Sequence, residues 1–472
     1  MISASFAPRL PFFRGRRRRR VSALLAKHFG RAKLESLSVA ERQFPVRVRP
    51  DLQRAVVELF GDAVKGRQFF SMRQDLAMQT ISFGSLLAAG WLQSPVLAPP
   101  EYEEVDVGED RPVRCLNVGL WLLERSGHRY AVLLAPALTH GMRTGVSFQI
   151  ATDDDAGSAD IAEAIFKRLE VAVQAGRSYR GKILSLEMEQ NFRGLATGIR
   201  VHKLRCVDRA QVILPAKTLA LLERNVIRFV QRREKLSALG QSTRKGLLFY
   251  GPPGTGKTHT IHYLAAALTG HTTLLVTAEQ VGLLAEYMAL ARLLQPSVVV
   301  IEDVDLIARD RSQMSGPCEE SMLNKLLNEM DGLKESADVL FILTTNRPET
   351  LEAALASRPG RVDQAIEFPL PDEEGREKLV RLYGGEAGLT DELVSLVVGR
   401  TDRVSAAFIK ELMRRSVQFR LEREGATAVL QQDVEDALDE MLFSGGSLNV
   451  KLLGGDMDGQ HAGAGVASLL PG

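Results

Sequence analysis

From about Val113 to Thr152 short apolar and β-branched runs recur: VRCLNVGLWLLE, RYAVLLAPAL and VSFQIAT, with Ser126-Gly127 between the first two. Runs of this kind predict strands, and the small dipeptide predicts the turn joining them. The stretch ADIAEAIFKRLEVAVQAG then changes period, placing Ile161, Ala164, Ile165, Leu169 and Ala172 on one helical stripe. GKILSLE and IRVHKLR read as strands again, and DLQRAVVELFGDAVKG upstream as helix. The pattern predicts an α+β domain over residues 51–210. It holds no catalytic cluster. His202 and Cys206 stand four apart with no further ligands nearby, which favours a structural role over metal binding.

The period changes again after residue 210. VILPAKTLALLERNVIRFVQRREKLSAL carries apolar residues at helical spacing with charges of both signs. Then GLLFY, TTLLVT, SVVVI, VLFILTT and AIEF alternate with helical stretches. Continuous apolar strands separated by helices predict an α/β domain, a parallel sheet flanked by helices, over residues 211–370. Beyond Pro371 the pattern is all helical, predicting a C-terminal helical lid domain over residues 371–444. From Gly445 the glycine-rich GGSLNVKLLGGDMDGQHAGAGVASLLPG has no period and predicts a flexible tail, residues 445–472.

Composition adds little to this picture except at one end. The 472 residues are 45% apolar and 25% charged with a net charge of +2, so no global field draws the chain to nucleic acid or anionic membrane. Cys115, Cys206 and Cys318 share no ligand spacing, as expected of a reducing compartment. The best candidate for a membrane span, SFGSLLAAGWLQSPVLAPP, is broken by Pro95 and too mixed to cross a bilayer. These features predict a soluble, cytoplasmic protein. Before Glu35 there is no acidic residue, and Arg14 with Arg16 to Arg20 forms a basic run. Residues 1–50 read as a basic, flexible segment. Such a run serves as an organelle presequence (and then a matrix location), as a nucleic-acid arm, or has no role.

The chemistry sits in the α/β domain. Gly251, Pro252, Pro253, Gly254, Thr255, Gly256, Lys257 and Thr258 satisfy the phosphate-loop pattern, directly after one predicted strand and before a helix. Backbone N–H groups and the helix N-terminus then cradle the phosphates of ATP. Lys257 reaches the β- and γ-phosphates, and the Thr258 hydroxyl ligates Mg²⁺. The strand SVVVI ends in Glu302 and Asp303, two carboxylates at the sheet's carboxyl edge. One holds Mg²⁺ and the other orients the attacking water; by position Glu302 is the metal-side residue and Asp303 the water-side residue.

GPPGTGKT, the paired acids, NKLLNEMDGL, LTTNRPE and RPGRVDQAIEFPLPDEEGR occur in the order and spacing of AAA proteins, and the chain resembles that family from roughly Leu219 to Leu442. The resemblance implies a linker helix before the nucleotide-binding core and a first sensor at Asn346. It also implies arginine fingers at Arg358 and Arg361 that complete a neighbouring subunit's site. It further implies a ring, a hexamer in the family, that turns ATP hydrolysis into remodelling of a protein client or complex. The N-terminal domain would then recognise the client or adaptor. The arginine run keeps a nucleic-acid-associated ATPase as an alternative, and a nucleotide-binding scaffold without turnover is a third reading.

Three departures bear on mechanism. AAA proteins usually show Asp then Glu where this chain has Glu302 then Asp303. The interval between phosphate loop and acids is short and lacks the aromatic–apolar–Gly pore loop of threading machines; Tyr287-Met288 within it reads as core. Both features are similar to the mitochondrial AAA chaperones of respiratory-chain assembly. The helical domain has Ser405-Ala406-Ala407 where Ser-Gly-Ala is usual, and no evident second-sensor arginine follows.

Overall fold

The alternating stretch after Val113 becomes the middle of an antiparallel sheet. The computed structural model describes residues 21–30, 34, 36–61, 67–73, 80–87, 95–125, 127–139, 142–153, 156–191, 194–309, 328–329, 332, 337–349, 362–423 and 427–441. They fall into two units, one within residues 1–178 and 187–200 and the other within 179–186 and 201–472. No helix among the described residues is long and apolar enough to cross a membrane.

In the first unit β1 (Ser38–Pro45), β2 (Gln68–Arg73), β3 (Val96–Ala98), β6 (Gly119–Arg125), β7 (His128–Thr139) and β8 (Met142–Thr152) form one sheet in the order β1-β8-β7-β6-β2-β3. Arg125 faces His128 across the β6–β7 turn, where Gly127 takes a φ of 82° that favours glycine. Strand β7 is buried along most of its length because both sheet faces are covered. On one side α1 (Val21–Phe29) and α3 (Phe83–Leu87) pack Leu25 and Phe83 against Leu120, Leu122 and Leu133. On the other, α2 (Arg49–Phe60) and α4 (Ala156–Gln174) set Phe60 beside Trp121 and Phe166 edge-on to Phe148. A separate hairpin, β4 (Tyr102–Val105) and β5 (Val113–Leu116), completes the unit.

Part of the segment expected to be flexible, residues 1–50, is instead ordered structure. Val21, Leu25 and Phe29 are spaced at i, i+4 and i+8 and all are buried, which holds α1 on the sheet. Strand β1 pairs with β8 over its full length. The arginine run before Val21 and the glycine-rich tail lie outside the described residues.

A seven-stranded sheet is formed by β9 (Ile183–Asn191), β10 (Gly194–His202), β11 (Lys245–Tyr250), β12 (Thr272–Val276), β13 (Ser297–Ile301), β14 (Val339–Thr345) and β15 (Gln364–Glu367); β11 to β15 and the start of β9, through Leu186, belong to the second unit. Their order is β10-β9-β12-β13-β14-β11-β15, with parallel pairing from β9 through β15. Strands β13 and β14 are wholly buried, as covering on both faces requires. Strand β9, expected in the N-terminal domain, pairs Ile183 and Leu184 with Thr273 and Leu274. The core joins Leu247, Phe249, Val300 and Ile342 to Ile261 and Leu264 of α8 (Lys257–Ala267). Tyr287, on α9 (Leu284–Leu293), is fully buried, and its hydroxyl donates to Leu275 O, so it belongs to the core as expected.

The stretch expected as a linker helix is broken into α5 (Ala216–Leu222), a π turn at Glu223–Ile227, α6 (Arg228–Gln231) and α7 (Arg233–Ala238). The break before α7 falls at Arg232, whose φ of −106° and ψ of 7° lie outside the helical region. Beyond the sheet come α11 (Glu373–Gly384), α12 (Asp391–Arg400), α13 (Ala406–Glu422) and α14 (Gln431–Asp439), packed on Val380, Val397, Ile409, Leu412 and Val434. Side-chain caps fix three of these starts: Asp372 accepts from Gly375 N, Thr390 from Leu393 N and Ser405 from Phe408 N. Another helix, α10 (Val304–Arg309), follows β13.

Candidate active site

Adjacent parallel strands β13, β14 and β11 deliver their carboxyl ends to one edge of the sheet, which brings the phosphate loop, the paired acids and Asn346 together. The loop after β11 needs glycine for two distinct reasons. At Gly251, with φ 144°, a Cβ would lie 2.2 Å from the Phe368 carbonyl oxygen; at Gly254, with φ 78°, it would lie 2.8 Å from Ser405 Oγ and 2.9 Å from Ala407 Cβ. The helical domain therefore packs on the phosphate loop itself, and the Ala407 N–H donates to Gly254 O at 3.0 Å. The Thr255 hydroxyl closes the loop on Pro252 O at 2.9 Å.

Lys257, the first residue of α8, is buried at 7% exposure and donates through Nζ to Gly251 O (2.8 Å) and Pro252 O (2.9 Å). Burial pushes its ammonium down to about 8, against the opposing pull of Asp303 and Asp305. Its neighbour Thr258 donates its hydroxyl to Glu302 Oε1 at 2.8 Å. Asp303 has a left-handed backbone, φ 50°, and donates its N–H to Thr344 Oγ1 at 3.0 Å. That conformation turns its carboxylate toward the end of β14, where Oδ1 accepts from Asn346 Nδ2 at 3.1 Å.

The predicted residues thus converge as two hydrogen-bonded pairs, Thr258–Glu302 and Asp303–Asn346, beside the loop. Arg358 and Arg361 lie outside the described residues. The groups present suit a nucleoside triphosphate with its divalent cation: a cradle that a Cβ would fill, a buried lysine, and a hydroxyl–carboxylate pair of hard oxygen donors.

Sequence reasoning missed several members of the site. Asp305, 2% exposed in the first turn of α10, accepts from the Thr345 hydroxyl at 3.0 Å and from the Asn346 N–H at 3.2 Å, fixing the backbone of Asn346. Its position two residues beyond Asp303 was the available signal. A cleft of about 370 Å³ beside the loop is also lined by Gln211 to Leu214, His259, Tyr383 and Lys410. His259 Nε2 lies 3.2 Å from Gln211 O, and burial lowers its pKa. Among the described residues, the cation that the helical domain brings to this cleft is Lys410, not an arginine. No local pattern marks these groups, because tertiary folding assembles them.

Residues 247–370 match the model of the family described as "ATPase family associated with various cellular activities (AAA)". The chain is 32% identical over 240 residues to the 26S proteasome regulatory subunit 8 homolog of Schizosaccharomyces pombe, covering 47% of this chain and 58% of that relative. It is 30% identical over 260 residues to the proteasome-activating nucleotidase of Methanothermobacter thermautotrophicus, covering 52% and 63%. With the chloroplastic ATP-dependent zinc metalloprotease FTSH 6 of Arabidopsis thaliana it shares 31% over 272 residues, covering 54% and 37%. The chain thus spans between 37% and 63% of the length of these relatives. The geometry of the loop, the paired carboxylates and Asn346, together with this similarity, identifies residues 247–370 as an AAA-type P-loop ATPase domain.

Proposed function

We propose that this chain hydrolyses Mg·ATP within an oligomeric ring, a hexamer, and uses the cycle to remodel a protein client or complex. The observation that carries the reading is the side-by-side arrangement of Thr258–Glu302 and Asp303–Asn346 at adjoining strand ends. Gly251 to Thr258 hold the triphosphate through backbone N–H groups, and Lys257 exchanges its two carbonyl acceptors for phosphate oxygens. Thr258 and Glu302 hold Mg²⁺, which when bound offsets charge on the phosphate oxygens. Asp303 accepts a hydrogen bond from the attacking water, while Asn346 fixes the carboxylate and lies within reach of the same water. Asp305 holds Asn346 in place.

The relatives are named for a proteasome, a nucleotidase activity and an ATP-dependent protease, which supports ATP use directed at proteins. Arg358 and Arg361 act in the neighbouring subunit's site, and a residue that completes a neighbour's site makes a head-to-tail contact, which either closes into a ring, as in this reading, or runs on as a filament. Mixing Arg361→Ala with Lys257→Ala subunits tests this. Each variant alone is inactive, whereas a mixed ring sets an intact finger against an intact loop and regains part of the phosphate release. Wild-type protein that stays monomeric by light scattering with ATP, yet hydrolyses at full specific rate when dilute, would rule the shared site out.

A further inference from the structure

The first unit carries a charge cluster that the ATP chemistry does not use. Arg49, at the start of α2 and 4% exposed, donates Nη1 to Glu103 Oε2 at 2.6 Å, and Nη2 to Asn117 Oδ1 at 2.8 Å and Cys115 O at 3.3 Å. Arg143, on β8, donates Nη1 to the same Glu103 oxygen at 2.9 Å. Two guanidinium groups therefore share one carboxylate oxygen, leaving the trio with one excess positive charge. Arg49 Nε and Arg143 Nε and Nη2 are buried without hydrogen-bond acceptors. Buried donors of this kind are uncommon and call for an explanation. Burial, with Arg49's charge adding to it, pushes Arg143 down to about 10. Burial alone would raise the Glu103 carboxyl, but Arg49 and Arg143 outweigh it and hold it below its ordinary value.

Glu103 belongs to β4, whose residues Tyr102 to Glu104 are exposed. Six of the ten residues from Glu101 to Asp110 are acidic. A second ion pair ties the same hairpin to α2, with Arg54 Nη2 donating to both Glu109 oxygens at 2.9 Å. Its ladder to β5 and the ion pairs of Glu103 with Arg49 and Arg143, rather than apolar burial, hold β4, which lies as an acidic strap over the two arginines. We propose that Arg49 and Arg143 are the centre of a docking surface for an extended acidic segment of a protein, and that β4 with Glu103 is its built-in competitor. The resident occupant shows the chemistry of the visitor: a glutamate on an extended strand, antiparallel to β5 with Glu103 opposite Cys115. An incoming strand with acidic side chains can replace both the ladder bonds and the ion pairs.

This surface lies wholly within the first unit, so its test leaves the ATPase reading untouched. The probe is fluorescein-labelled hexaglutamate, titrated against the full chain by fluorescence anisotropy. Glu103→Gln keeps an acceptor but removes the competing charge, and is expected to tighten binding at least tenfold. Arg54→Ala, which loosens only the exposed end of the strap, is expected to tighten it about threefold. Arg143→Gln in the Glu103→Gln background is expected to abolish the gain. Hexaglutamate should also restore the thermal midpoint that Glu103→Gln lowers. If Glu103→Gln and Arg54→Ala leave peptide binding unchanged, the pairs are structural only and the proposal fails. Inorganic phosphate or a DNA oligonucleotide displacing the peptide at equal or lower concentration would overturn the assignment to a protein segment.

Discussion

The Asn346 side-chain amide and the Asp303 carboxylate, 3.1 Å apart, join the ends of two neighbouring parallel strands. The partnership separates Asp303 from Glu302, which faces Thr258 instead. Two adjacent acids thereby acquire different surroundings.

Asp303→Asn is accordingly expected to bind ATP as the wild type does and to lose about 10²–10⁴-fold in turnover, the range typical of a positioned general base. Glu302→Gln is expected to raise the Mg²⁺ concentration needed for half-maximal hydrolysis. Nucleotide binding by calorimetry and a Mg²⁺ titration of phosphate release separate the two. Normal turnover in Asp303→Asn with a dead Glu302→Gln would reverse the assignment.

Asp305 touches no part of the cleft directly and acts through Asn346. Asp305→Ala strands the Asn346 N–H and the Thr345 hydroxyl, which costs about 1–3 kcal/mol in stability. It is expected to lower kcat about tenfold with KM little changed, and Asp305→Asn, which keeps an acceptor, should recover part of kcat. A loss confined to KM would show that Asn346 does not depend on it.

Lys257 sets a pH signature. With a folded value of about 8 against an ordinary 10.5, the free site loses its proton before the unfolded chain does. The unfolded chain then holds more protons between those limits, so ligand-free stability rises with pH across that window. Triphosphate binding requires the charged lysine and so takes up a proton above pH 8. Affinity should fall there, approaching tenfold per pH unit. Calorimetry at pH 9 in buffers of different ionisation enthalpy should report close to one proton taken up, and Lys257→Arg should report none.

Gly254→Ala combines a left-handed backbone with the Ser405 and Ala407 contacts. The backbone alone costs about 1–2 kcal/mol, and nucleotide affinity should fall roughly tenfold. Gly254→Ala with Ala407→Gly should recover part of that loss, measured with a fluorescent nucleotide; no recovery would place the whole cost in the backbone.

The phosphate loop and acids were legible because their chemistry is local: glycines between an apolar strand and a helix, and two carboxylates ending another strand. The seven-stranded sheet was only partly so. Nothing near Ile183 announces its pairing with Thr273, a contact across ninety residues that only the fold creates. Helix α1 was obscured for a different reason. The arginines before Val21 dominated the composition, although Val21, Leu25 and Phe29 already stood at helical spacing. Lys410 and Tyr383 reach the cleft through the packing of the helical domain, which no window of sequence encodes.

The stretch from Gly251 to Gly254 is gripped at one end by the chain leading into that domain and at the other by the domain itself. Phe368, where the chain leaves β15, donates its N–H to Tyr250 O at 2.7 Å and sets its carbonyl against Gly251, while Ala407 bonds to Gly254 O. The loop is an axle in two bearings. A tilt of the helical domain would pull directly on the Gly254 carbonyl through the Ala407 N–H, with no relay residue between the domain and the loop.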